Sequence, residues 1–219
     1  MADETETETL AAETAPPSTI AKIHDSRWKI FWIVGLISMV ADQVTKIYAR
    51  AVLPVSPKGC AIPEDFIERK CGGVTVKFLG DFWEWRLSMN PGSAFGLFGS
   101  NQAMARIFLS VVGVIAVGGM VWMLVKSRPD QKVLHWALAF VAGGAVGNLI
   151  DRIYFGVVTD MVLWRYEKHE WPVFNIADVV LVIGVGLMFI DIQKEGKREK
   201  AIKAERRKRA KAAGLVKHD

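Results

Sequence analysis

Four stretches of the chain are nearly free of charge. They are residues 28–49, with a charge-free core at 30–41, then 107–125, 133–150 and 173–190. Crossing the hydrocarbon core of a bilayer takes about 20 mostly apolar residues, so each stretch is long enough to span as a helix. In the second stretch apolar residues fill every face, the pattern of a helix surrounded by lipid. A soluble protein would have to bury four such helices in 219 residues. The pattern therefore predicts an all-α integral membrane protein with four transmembrane helices.

Between the first two spans the period changes. Residues 74–79 and 82–89 flank Gly80-Asp81, a two-residue hairpin signal. Trp83, Trp85, Leu87 and Met89 alternate with Glu84, Arg86 and Ser88. A small β-hairpin over one membrane face is expected, its tryptophan side serving the headgroup interface or a small sheet core.

Lys and Arg set the orientation. The loop at 126–132 has three bases in seven residues, and residues 194–219 have eleven against four acids. The loop at 51–101 balances five bases with five acids. By the excess of positive charge on cytoplasmic loops, both termini and the short loop are cytoplasmic and the hairpin is outside. Arg50 and Arg152 run against this assignment. Residues 1–27 read as a disordered acidic leader, with five acids and no base in residues 1–19. Residues 28–192 form the membrane domain, with the outer loop at 51–101 and its hairpin at 74–89. Residues 193–219 form a basic cytoplasmic tail that anionic lipid would attract.

Composition removes several functions. The net charge of +5 belongs to the tail rather than to a folded face, so no nucleic-acid partner is expected. Two cysteines cannot form a Cys₄ zinc site, and the four histidines include no HExxH pair. No metal or cofactor is expected. Cys60 and Cys71 lie in the outer loop, where they are either a disulfide or two thiols.

What remains is a set of polar residues in apolar surroundings, where ionisable groups are costly and mark function. Asp42 and Lys46 share a face of the first span. Asn148, Asp151 and Arg152 end the third, and Asn175 and Asp178 open the fourth. The topology places all of them in the outer half of the membrane. Asp160 adds a carboxylate from the loop just outside the third span. Gly143 and Gly147 form a small-xxx-small pair suited to close helix approach. Two carboxylates in a low-dielectric site share a proton and can supply an acid and a base. The same residues would also suit a proton relay in a transporter, although the cytoplasmic half has no polar path, or a paired structural framework.

In these residues the sequence resembles the bacterial lipoprotein signal peptidases, signal peptidase II. The matching motifs begin with Asp42-Gln43-x-x-Lys46 and Asn90-Pro91-Gly92-Ser93-Ala94-Phe95-Gly96. Gly143-Gly144-Ala145-x-Gly147-Asn148-x-x-Asp151-Arg152 and Gly156-x-Val158-x-Asp160 follow, then Phe174-Asn175-x-Ala177-Asp178. The resemblance implies an intramembrane aspartyl endopeptidase of the cell inner membrane. Such an enzyme removes the signal peptide from diacylglyceryl-modified prolipoproteins, cutting just before the lipidated cysteine. It implies Asp160 and Asp178 as the catalytic dyad. Asn90, Gly92, Asn148, Asp151, Arg152 and Asn175 are implied as site support, and Asp42 and Lys46 as framework. A half-helix near residues 90–98 and a short sheet are implied over the site. The expected partners are prolipoproteins and membrane lipid, the expected state is a monomer, and the active site is expected toward the periplasm.

Overall fold

A computed structural model describes residues 26–92 and 101–212. Residues 1–25 of the expected leader, and residues 93–98 of the expected half-helix, lie outside the described residues.

Four long helices are present: α1 (Ser26–Val52), α3 (Gln102–Lys126), α4 (Lys132–Phe155) and α5 (Ile176–Ala212). Each is long and apolar enough to cross a membrane. Helix α2 (Glu64–Ile67) is a single turn in the outer loop.

Helix α4 is the centre of the bundle and packs against α1, α3 and α5. Its buried positions are mostly small, including Ala137, Ala139, Ala142, Gly143, Gly144 and Gly147. Lipid tails are as apolar as a protein core, so close packing of small residues replaces the hydrophobic drive between helices. A Cβ at Gly143 would stand 2.6 Å from the Gly35 carbonyl oxygen, and one at Gly147 would stand 2.5 Å from Asp42 Oδ2. Helix α3 is the opposite case: within it only Ala105 and Leu124 are buried. At one end Phe31, Val34, Leu124, Leu138, Ala139 and Ala142 join α1, α3 and α4.

The strands lie at the other end. Strands β1 (Val55–Ser56) and β2 (Gly72–Gly73) pair with each other. Strands β3 (Val76–Leu79), β4 (Trp83–Asn90), β5 (Val158–Tyr166) and β6 (His169–Glu170) are antiparallel in that order. Ala49, Leu87, Met161 and Val162 form a core beneath this sheet, and Trp83, Trp85 and Met89 pack against it. The tryptophan face of β4 thus covers a small sheet core. Cys60 and Cys71 are joined by a disulfide, with Cα atoms 6.3 Å apart.

Two local expectations need correction. The hairpin turn has three residues, 80–82, because Leu79 pairs with Trp83 after a register shift; β3 starts at Val76 and β4 runs on to Asn90. Asp160 sits on strand β5 and not in a loop. The first six residues of β5 are all buried, so the strand has no alternating pattern to read. The fourth span also continues into the basic tail as one helix of 37 residues that ends at Ala212, and residues 213–219 lie outside the described residues.

Candidate active site

Helix α4 ends at Gly156, whose φ of 75° is a left-handed conformation that favours glycine. The chain turns there directly into β5. Asp151 Oδ2 accepts the Thr159 backbone N–H at 2.8 Å, fixing the start of the strand. Strand β4 pairs with β5 through Ser88 with Asp160 and Asn90 with Val158. This register brings the Asn90 side chain to Asp160.

Asp160 is 2% exposed. Asn90 Nδ2 donates to its Oδ2 at 3.1 Å and Asn175 Nδ2 to its Oδ1 at 2.6 Å. Burial, and secondarily the Asp178 charge, push the Asp160 carboxyl up to about 7, against the opposing effect of the two amides.

Asp178 stands in the first turn of α5. It accepts from Asn148 Nδ2 at 3.1 Å and from the Asn175 backbone N–H at 3.2 Å. Asn175 Oδ1 in turn accepts the Asp178 N–H at 3.0 Å. This reciprocal pair is a capping box, which satisfies backbone donors that a helix start leaves unbonded. Asp42 Oδ1 takes a third, the Ala177 N–H, at 2.9 Å. One helix terminus is therefore built from residues of α1 and of the segment entering α5.

Below the two carboxylates lies a buried ionic network. Lys46, Asp42 and Asp151 are fully buried. Lys46 Nζ is 2.8 Å from Asp42 Oδ2, 2.8 Å from Asn148 Oδ1 and 3.5 Å from Asp151 Oδ2. Gln43 Nε2 donates to Asp42 Oδ2 at 3.1 Å and to the Gly147 carbonyl at 2.9 Å. Arg50 Nη1 donates to Thr159 Oγ1 at 2.6 Å and lies 3.6 Å from Asp151 Oδ1, its guanidinium 4.3 Å from the Phe155 ring centroid. Two acids and two bases thus neutralise each other, as buried charges require.

Asn148 joins the two layers. Its Oδ1 accepts from Lys46 and from Asn175 Nδ2 (3.2 Å), while its Nδ2 reaches Asp178. Arg152 approaches the Asn148 carbonyl at 3.5 Å and lies in the field of Asp178, Asp160 and Asp151. Gly92 donates its N–H to Asn90 Oδ1 at 2.8 Å, holding that amide.

Asp42, Lys46, Asn90, Asn148, Asp151, Asp160, Asn175 and Asp178 thus form one connected set. Gly92 and Arg152 adjoin it, and Cys60 and Cys71 lie apart in the outer loop. Sequence reasoning read Arg50 only as a contrary topology marker and passed over Thr159. An Arg two turns beyond Asp42, one turn beyond Lys46, is the signal that could have found the first.

The sequence matches the family described as Signal peptidase (SPase) II over residues 34–194. It is similar to the lipoprotein signal peptidase of Polynucleobacter necessarius, at 34% identity over 71% of this chain and 83% of that protein. Its similarity to the lipoprotein signal peptidase of Geobacter metallireducens is 31%, over 78% and 95% of the two chains. A bacterial membrane enzyme solved by the in meso method at 2.3 Å shares the fold, with a TM-score of 0.60 and 23% identity over 76% of this chain and 88% of that one. With four span-length helices, a buried network of carboxylates and a family match across most of its length, the chain belongs to the signal peptidase II family of aspartic peptidases.

Proposed function

We propose that this lipoprotein signal peptidase cuts diacylglyceryl-modified prolipoproteins just before the lipidated cysteine, with Asp160 and Asp178 as its catalytic dyad. One observation carries the reading: Asn175 and Asn148 link these two carboxylates, one buried on β5 and one at the start of α5.

The pair holds one proton. Burial favours that proton on Asp160. Asp178 takes a proton from water, and the water oxygen attacks the scissile carbonyl carbon. Asp160 donates its proton to the carbonyl oxygen, giving a tetrahedral diol. Asp178 then passes its proton to the amide nitrogen while Asp160 recovers one from a diol hydroxyl, the C–N bond breaks, and the products are the carboxyl end of the signal peptide and a free amine on the lipidated cysteine. Asn90 and Asn175 orient Asp160, and Asn148 orients Asp178. Arg152 offsets the net negative charge of the pair. Both carboxylates come from one chain, so a monomer suffices.

The protein is a multi-pass membrane enzyme of bacteria. The site lies at the end of the bundle opposite the basic 126–132 loop, which supports a periplasmic active site. Cleavage of a purified diacylglyceryl-modified prolipoprotein tests the reading. Loss of cleavage in both Asp160→Asn and Asp178→Asn is expected. Near-parent cleavage by either folded variant would overturn the dyad, and equal cleavage of a non-lipidated precursor would overturn the substrate assignment.

A further inference from the structure

Past Ile192 helix α5 continues as a strongly basic rod to Ala212. Its acids are confined to one side, which also carries Lys194, Arg198, Arg206 and Arg209. At 3.6 residues per turn, Lys197, Lys200, Lys203, Arg207, Lys208 and Lys211 fall within an arc about 140° wide. Glu195, Glu199 and Glu205, the acids of this stretch, fall on the other side.

The acid-bearing side is already occupied. Arg128 Nη2 pairs with Glu195 at 2.7 Å, and Arg198 Nη1 with Asp130 at 2.7 Å. These contacts clasp α5 to the loop between α3 and α4. On the helix they lie roughly opposite the middle of the basic arc, which therefore faces away from the loop. Among the described residues none of the six cations makes an ion pair, and all but the half-buried Lys211 are exposed. Like charges at helical spacing destabilise the helix that carries them, so this face calls for an anionic partner.

A bilayer surface reaches little of it. The clasp at Arg198 keeps the rod in line with its span, which puts Lys211 about 28 Å beyond Ile192. Screening in physiological salt acts over about 8 Å, so lipid headgroups meet only the first turn or two of the stripe.

The chain carries a matching polyanion. Residues 1–19 contain Asp3, Glu4, Glu6, Glu8 and Glu13 and no base. This segment joins α1 at the same clasp: Arg27 Nη1 donates to the Ser127 carbonyl at 2.6 Å, next to Arg128. The 13 residues from Glu13 to Ser26 reach up to about 45 Å when extended. The stripe is about 21 Å long on a helix about 10–12 Å across, so the reach suffices to pass around the rod.

We propose that the acidic segment at residues 3–13 docks along the basic face of α5 formed by Lys197, Lys200, Lys203, Arg207, Lys208 and Lys211. The acidic segment and the basic face then form one electrostatic unit at the inner end of the bundle.

The test uses the full chain in phosphatidylcholine vesicles. Spin labels are placed at Thr7→Cys and Ala204→Cys, with Cys60 and Cys71 protected in their disulfide. A short inter-label distance is expected. It should be lost when Lys197, Lys200, Lys203, Arg207 and Lys208 are changed to Gln, with helix content by circular dichroism unchanged, and lost in 1 M salt. Exchanging the charges, with Lys in place of the five leader acids and Glu in place of those five bases, should restore it. A short distance that persists in the Gln variant would overturn the proposal. So would one that appears only in phosphatidylglycerol vesicles, or equal broad distributions in parent and variant.

Discussion

Asn175 and Asp178 cap each other: the Asp178 N–H donates to Asn175 Oδ1 at 3.0 Å, and the Asn175 N–H donates to Asp178 Oδ2 at 3.2 Å. The Asn175 amide also donates to Asp160 at 2.6 Å. The start of a transmembrane helix and the link between two carboxylates are therefore one set of hydrogen bonds.

Asn175→Ala should separate stability from activity. Loss of the cap costs about 1 kcal/mol. Loss of the amide bridge should cost roughly a hundredfold in cleavage rate, the scale of one preorganised donor. Thermal unfolding and single-turnover cleavage on the same preparation check this, and a rate loss no larger than the stability loss would contradict it.

Asp160→Asn and Asp178→Asn should each lower the cleavage rate by about 10²–10⁴-fold, the usual contribution of a positioned acid or base. The two losses should not add in the double variant, since the residues act as one unit. Rate constants from all three variants decide it.

The pH profile has a predicted sign. The proposed reaction needs one proton on the pair, and burial pushes the Asp160 carboxyl up to about 7. Activity should therefore fall as pH rises through about 7. Asn90 donates to the ionised form and so lowers that value. Asn90→Ala should move the alkaline limb of kcat/KM to higher pH, which a purely structural role would not do.

Lys46→Met should be more damaging than Arg50→Leu. Lys46 is fully buried between Asp42 and Asp151, and removing it leaves two acids without their central cation. A cost of about 3–5 kcal/mol is expected. Arg50 is 14% exposed, and its loss leaves Asp151 its contact with Lys46 and its bond from the Thr159 N–H. About 1–3 kcal/mol is expected there. Denaturant unfolding in a fixed detergent ranks the two.

Much of this architecture is legible in the sequence because lipid imposes a simple rule. A spanning helix must be apolar for about 20 residues, and four such runs stand out. The same rule makes Asp42, Lys46, Asn148 and Asp178 conspicuous. Strand β5 is not legible, since both of its faces are covered at the start and Asp160 interrupts its apolar run. Arg50 is misleading for a related reason: positive charge at a helix end reads as topology, whereas this guanidinium is held by Asp151 and Thr159. The three-residue turn after Leu79 depends on a register shift that no local pattern encodes.

Asp42 accepts the Ala177 N–H across 135 positions of sequence. Synthesis delivers the aspartate early, on the first span, and its helix-capping partner only with the last. A chain arrested after α4 holds Asp42, Lys46 and Asp151 but has neither Asn175 nor Asp178. With Asp160 and Asp178 as the proposed dyad, proteolytic competence would be deferred until the final span is made, and an unfinished enzyme would be unable to cut its neighbours.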